Sequence, residues 1–260
     1  MIPQRYIQEW KEYAPWQDDA QVEQDLIITR TIVTIFSDDF LKEHLAFRGG
    51  TALYKIYLKP PPRYSEDIDL VQIKAGAIGN ILDRLREVID FFDDSPKIKV
   101  KANNNNIIFR FDSEMLPKIP MRLKIEINCR EHFSVLGYTE KYIEIKNSWF
   151  SGASYVKTFE LEELLATKLR ALYQRKKGRD LFDLYYAFKN LEVNSEKLLY
   201  CYFKYIKNQT SPSSKEFISN LEKKMEEEFL GDISGLIKPD IKYNHKLAFE
   251  FIKKELLEKI

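Results

Sequence analysis

The sequence predicts an α+β fold: a mixed sheet with flanking helices over residues 1–158, then a C-terminal helical bundle over residues 159–260. Three observations predict it. The clean apolar–polar alternations, the two-residue period of strands, all lie before Phe159. After it, apolar residues recur only at helical spacing. The chain has 260 residues, 44% of them hydrophobic and 13% aromatic, enough to bury one large core or two small ones.

Taken in order, Gln21 to Phe40 carries Leu26, Ile27, Ile32, Val33, Ile35 and Phe36 on a broad helical face. Gly49–Gly50 precede TALYKIYL, a short helix stopped by Pro60, Pro61 and Pro62. Glu66 to Ile73 alternates acid and apolar residues as a half-buried strand does. Ile78 to Phe92 returns to helical spacing. KIKVKANNNNIIFRFD reads as a hairpin with Asn103 to Asn106 as its turn, since Asn tolerates left-handed backbone. In MRLKIEIN, Met121, Leu123, Ile125 and Ile127 share one face, and Arg122, Lys124, Glu126 and Asn128 share the other. A further strand is expected near Tyr142 to Ile145. The rest reads as helices: LEELLATKLRALYQRK, DLFDLYYAFKN, SEKLLYCYFKYIKN, FISNLEKKMEEEFL and NHKLAFEFIKKELLEKI.

Charge narrows the classes. Charged residues make up 31% of the chain yet leave a formal net charge of +1, so an electrostatic partner must meet a local patch. Cys129 and Cys201 are the only cysteines, far apart and outside any CxxC or Cys/His cluster. That pattern suits a reducing compartment and excludes a structural zinc. With no apolar run approaching the ~18 residues of a membrane span and no leader-like N-terminus, a cytoplasmic protein with no membrane partner is expected.

One stretch carries chemistry: FRGGTALYKIYLKPPPRYSEDIDL, from Phe47 to Leu70. Strand period puts Asp67 and Asp69 on one face, with Ile68 and Leu70 turned to the core. Adjacent carboxylates repel unless a cation neutralises them, and hard divalent ions such as Mg²⁺ are the usual cation. A solvated acidic strand is the plain alternative. Gly49 and Gly50, ahead of Thr51, present backbone N–H groups at a helix start and let a phosphate approach without an intervening side chain. Taken alone, such a pair is a common turn. Together the two features describe a nucleoside-triphosphate site.

FRGGTALYK, RYSEDIDL and KLRALYQRKKGRDLFDLY, spanning Phe47 to Tyr185, resemble the AbiEii/AbiGii toxin family. This is a branch of the polymerase-β-like nucleotidyltransferases that includes the MenT-type toxins. The resemblance implies a toxin of a toxin–antitoxin pair, with a cognate antitoxin protein as partner. It implies transfer of a nucleotide from an NTP with Mg²⁺ or Mn²⁺ as cofactor, and an RNA acceptor, the tRNA 3′ end in characterised relatives. It places the triphosphate on Gly49, Gly50 and Thr51 and the metals on Asp67 and Asp69. A third acid comes from a later strand; Glu126 is the candidate from MRLKIEIN and Asp112 its rival from the hairpin. Arg63 and Ser65 flank the motifs as nucleotide contacts, although Arg63 is equally placed to meet Glu66. A phosphate on Ser65 would set charge beside the metal acids if the strand extends that far.

Leu161, Leu164, Leu165, Leu169 and Leu172 form a helical stripe that also contains Lys168. An inward lysine must meet an anion or snorkel to solvent, and a purely structural one would tolerate methionine. The resemblance makes Lys168 catalytic, acting on the triphosphate as a point charge. It gives Asp180 a catalytic role beside it, with an N-cap or the orientation of Lys168 or Arg179 as alternatives. Arg179 lies in the basic run Arg175 to Arg179, a nucleotide or RNA-backbone contact or a solvated joint; Asp183 is expected to be structural. The leading expectation is thus an RNA-modifying nucleotidyltransferase whose helical half completes the active site. An enzyme modifying a protein or small molecule, or a binding module without turnover, would share the nucleotide motifs.

Overall fold

A computed structural model describes residues 2–14, 16–101, 104–206, 212–226, 231–233 and 235–260. The chain divides into two compact units. The first comprises residues 1–56, 64–133 and 138–159; the second comprises residues 57–63, 134–137 and 160–260. Two short segments of the strand-rich half therefore belong to the helical unit.

The first unit holds helices α1 (Gln4–Trp10), α2 (Asp19–Ser37), α3 (Asp39–His44), α4 (Gly49–Ala52) and α5 (Gly79–Val88). Its strands are β1 (Leu45–Arg48), β2 (Asp67–Gln72), β3 (Lys97–Lys99), β4 (Asn104–Asp112), β5 (Pro120–Asn128), β6 (Tyr138–Lys146) and β7 (Ser151–Phe159). They form one mixed sheet in the order β3-β4-β5-β2-β1-β7-β6, with β2 parallel to β5 and β1 parallel to β7. The mixed α+β architecture expected from the alternation pattern is present. Helix α2 packs on the sheet, where Ile68, Leu70, Leu123, Ile125, Ile127 and Phe109 are buried. Asp25 on α2 accepts both indole N–H groups, from Trp10 at 2.9 Å and Trp16 at 3.2 Å, and the Lys55 ammonium at 2.7 Å. The aromatic N-terminus is thereby tied to the sheet's main helix.

Several elements differ from the sequence reading. The asparagine run is not a turn: Asn104 to Asn106 lie inside β4, and Asn103 falls outside the described residues. Side-chain bonds from Asn104 to Glu126 and from Asn105 to Cys129 explain why a turn-favouring residue is held extended. Strands β1 and β7 have no clear alternation in the sequence. Following α4, the backbone widens into a π-helical stretch, Leu53–Tyr57, before the prolines.

The second unit contains α6 (Leu161–Gln174), α7 (Gly178–Asn190), α8 (Ser195–Ile206), α9 (Ser214–Glu226) and α10 (His245–Glu255). Its polar centre is Glu163, fully buried on α6. That carboxylate accepts from Ser134 Oγ, Val135 N, Leu136 N and Tyr205 Oη, all within 2.9 Å. It binds the 134–137 segment and α8 to α6. No described helix is long and apolar enough to cross a membrane.

Glu23 on α2 generates a prediction. It is fully buried and accepts the Glu114 backbone N–H at 3.0 and 3.2 Å. Burial raises its carboxyl from 4.5 to about 7, against the lowering effect of that N–H. The folded state therefore holds the proton more tightly than the unfolded chain. Its stabilising contribution is complete below about 4.5 and is lost as pH rises to about 7. Glu23→Gln, which keeps an acceptor, should narrow the difference in denaturant midpoint between pH 5 and pH 8.

Candidate active site

The acids fall where the strand period puts them. Asp67 and Asp69 are half-exposed on β2 while Ile68 and Leu70 are buried. The neighbouring strand β5 sets Lys124 beside Asp67 and Glu126 beside Asp69 in register. Lys124 Nζ lies 2.7 Å from Glu126 Oε2 and 3.6 Å from Asp67 Oδ2. Burial lowers the Lys124 pKa, but the Glu126 hydrogen bond and the charges of Asp67, Glu126 and Asp69 outweigh it and leave it raised. Asn104 donates to the other Glu126 oxygen at 2.8 Å, so that carboxylate is held at both ends. Asp112 is placed otherwise. Glu126 pairs with Asn106, and Asp112 stands six residues further along β4, about 20 Å away at strand rise. Of the two candidates for a third acid, Glu126 alone shares the face of Asp67 and Asp69 at close range. Among the described residues no three His, Cys, Asp or Glu side chains converge tightly enough to cage an ion; the acids are arranged around the Lys124 ammonium.

Gly49 abuts this cluster. Its φ is +81°, in the left-handed region, and a Cβ there would stand 2.0 Å from Asp69 Oδ2 and 2.8 Å from Asp69 Cβ. Only glycine fits. Gly50 is buried but lies outside the left-handed region, so the backbone constraint expected of the pair rests on Gly49. Thr51 is 2% exposed, and its hydroxyl donates to the Asp67 carbonyl. With that single proton committed, Ser65 Oγ is the donor in the 2.8 Å bond between Ser65 and Thr51. Thr51 and Ser65 thus join the glycine motif to the acidic strand, and both hydroxyl protons are used within the protein. Strand β2 begins at Asp67, so Ser65 lies just before it.

In the second unit, the inward lysine does not snorkel. Lys168 is 8% exposed, and its Nζ lies 2.9 Å from Asp183 and 3.4 Å from Asp180. Arg63 is 2% exposed and forks onto Asp183 with two 2.8 Å bonds; Asp183 is the partner found where phosphate or Glu66 was expected. Arg175 forks onto Asp180 at 2.7 and 2.8 Å. Asp180 is not an N-cap, because α7 begins at Gly178 and Lys177 precedes it. Nor does Asp180 meet Arg179 as a partner in these bonds; Arg179 faces Asp232 at 3.7 Å. Each buried aspartate therefore has its own guanidinium fork, and Lys168 adds a third cation to two anions.

Lys124, missed as a candidate from sequence, shows its importance only through strand register. The same holds for Arg110 and Arg122, which face each other across β4 and β5 on the polar side of the sheet. They help line a cavity of about 890 Å³ together with Lys118 and the acids Asp18, Glu66, Asp93, Asp94, Asp112 and Glu114; Asp67, Asp69 and Glu126 are not in its lining. That lining mixes both charges and by itself names no ligand.

Comparison with known proteins gives consistent results. The model of the family described as nucleotidyl transferase AbiEii toxin, type IV toxin–antitoxin system, matches residues 30–251. No curated protein matches the sequence. Among solved structures, JHP933 from Helicobacter pylori is similar with a TM-score of 0.58 at 21% identity, covering 93% of each chain. The MenT4 nucleotidyltransferase toxin from Mycobacterium tuberculosis H37Rv is similar with a TM-score of 0.56 at 13% identity, covering 100% of this chain and 98% of that one. At these identities the structural likeness establishes the fold.

Two predictions follow from the geometry. Gly49→Ala should cost about 1–2 kcal/mol for the left-handed backbone alone and should also push the Asp69 carboxylate aside. Gly79→Ala, where a Cβ meets nothing within 4 Å, is the control and should leave the melting temperature unchanged or higher. The charge chain revises what methionine would do at position 168. Lys168→Met should cost about 1.5–3 kcal/mol, the loss of hydrogen bonds to a charged group, rather than being neutral. Asp183→Ala strands the buried Arg63 guanidinium and should cost more, about 3–5 kcal/mol. Denaturant midpoints of the two variants check that order.

Proposed function

The chain belongs to the AbiEii family of nucleotidyltransferase toxins of type IV toxin–antitoxin systems, and on that premise we propose that it transfers a nucleoside monophosphate from an NTP to the 3′ end of an RNA, a tRNA, and so blocks translation. One observation carries the assignment of the site. Gly49 meets the Asp69 carboxylate too closely for any Cβ, on the strand face that Asp67 and Glu126 share. That contact supports reading Asp69 as a metal-binding acid set directly against the glycine motif.

The donor set of carboxylate oxygens suits Mg²⁺ or Mn²⁺. Bound there, a divalent ion would activate the acceptor hydroxyl and offset charge on the leaving pyrophosphate. Asp67 and Asp69 hold it, and Glu126, oriented by Asn104, is the third acid. The triphosphate is assigned to the glycine motif, Gly49 and Gly50 with Thr51, and Thr51 and Ser65 tie that motif to the acidic strand. We assign Lys168 a catalytic role as well. Its place in KLRAL, inside the matched region, supports that role. Asp180, Asp183 and Arg63 then position Lys168, and Arg179 contributes to a basic joint.

An RNA acceptor is favoured by the Arg110–Arg122 pair. Arg110 and Arg122 stand directly opposite each other, where like charges destabilise a sheet, and a phosphodiester would compete for them with the acids of the same cavity. A cognate antitoxin is the protein partner expected of the family, and the reaction is placed in the cytoplasm.

The test is transfer from each of four α-labelled NTPs to total RNA, to protein extract or to buffer alone, with Mg²⁺ present. Label should appear at the RNA 3′ end with wild type and fall to background with Asp69→Asn, whose melting temperature should hold or rise as carboxylate repulsion is relieved. Label on protein or on a small molecule would replace the RNA reading; wild-type transfer by Asp69→Asn would overturn the site. A double Arg110→Ala, Arg122→Ala variant should raise the KM for RNA and leave the KM for NTP unchanged. It should also flatten the salt dependence of RNA binding by a slope of about 2, one for each lost phosphate contact.

A further inference from the structure

Lys124 stands among the three acids, and its position suggests more than a surface ion pair. Its ammonium bonds Glu126 Oε2 at 2.7 Å and faces Asp67 Oδ2 at 3.6 Å, while the in-register partner of Glu126 is Asp69. Three carboxylates and one ammonium share one patch of two adjacent strands. A divalent ion on Asp67 and Asp69 would need carboxylate oxygens at about 2.0–2.1 Å. It would meet the Lys124 charge within a few ångströms, close to the oxygens the ammonium already faces. The two cations therefore compete for one set of anions.

We propose that Lys124 is a built-in counterion of the acid cluster that disfavours divalent metal until an anionic substrate draws the ammonium away, so that metal and nucleotide bind cooperatively. This rests on the reading of Asp67 and Asp69 as metal ligands. Lysine suits the task. Its ammonium is a compact charge on a flexible four-carbon stem, free to exchange one anion for another, whereas arginine would grip Glu126 through a fixed fork. The side chain is also only 24% exposed, so its charge is screened by solvent less than that of a surface lysine. The chemical class of the releasing ligand follows from the site: a polyphosphate laid over the same sheet face offers the ammonium oxygens as good as those of Glu126. The coupling is reciprocal by thermodynamic necessity. Metal alone binds poorly, nucleotide alone binds poorly, and each improves the other by the same factor.

The experiment is a Mn²⁺ titration followed by electron paramagnetic resonance, without nucleotide, on the full chain and on Lys124→Met, Lys124→Gln and Lys124→Arg. Circular dichroism confirms that each is folded. Removing the ammonium should tighten Mn²⁺ binding at least about tenfold, a 1.4 kcal/mol change, in both Lys124→Met and Lys124→Gln. Lys124→Arg should bind no more tightly than wild type. Using two neutral variants keeps the test valid if one of them misfolds. The gain should disappear when Asp69→Asn is added. Equal, measurable Mn²⁺ affinity across wild type and the neutral variants would overturn the counterion proposal and leave the metal site standing. Absence of Mn²⁺ binding in folded wild type and folded Lys124→Met would overturn the metal site, and this proposal with it.

Discussion

Carboxylates crowded on one sheet face repel each other, and the first unit is arranged around that constraint. Asp67 and Asp69 leave β2 on the same side, and Glu126 joins them from β5. The register that brings Glu126 in also brings Lys124, whose ammonium offsets part of the charge. Gly49 closes the cluster from a third direction, near enough that a methyl group would collide with Asp69. Thr51 locks the glycine motif to the start of β2 through the Asp67 carbonyl. Acid, base and glycine positions depend on one another, so a change at any of them is felt at the others.

The second unit handles buried charge differently. Arg63, Asp183, Lys168, Asp180 and Arg175 alternate in sign, and both aspartates are fully buried. Burying charges is favourable only when each is paired and hydrogen-bonded, and the two guanidinium forks provide that. Lys168 lies between them, its ammonium shared by the two aspartates. The lysine inside the leucine stripe is thus met by two buried anions rather than by solvent.

Much of this arrangement was legible in the sequence, for identifiable reasons. The alternation of DIDL and MRLKIEIN is strong because one face of each strand is buried, so the polar face could be read residue by residue. The leucine stripe likewise announced α6. What could not be read was pairing. Nothing in the spacing of Lys124 says it opposes Asp67, because strand register is a tertiary property. Arg63 is 120 residues from Asp183, and no local pattern joins them. The asparagine run misled because turn propensity was overridden by side-chain bonds to Glu126 and Cys129. Strands β1 and β7 lacked a signal: β1 is buried along nearly its whole length, and small residues interrupt β7. The glycine pair stands out in the sequence, but which member bears the left-handed backbone is set by the contact with Asp69, a tertiary property.

In the proposed function, Asp67 and Asp69 hold a catalytic divalent ion beside Gly49. Crystals grown with Mn²⁺ and a non-hydrolysable NTP analogue would test it most directly, through the anomalous scattering of manganese. The expected result is a peak bonded to oxygens of both Asp67 and Asp69, with the triphosphate against the backbone of Gly49 and Gly50. A manganese peak elsewhere, with neither aspartate among its ligands, would contradict it.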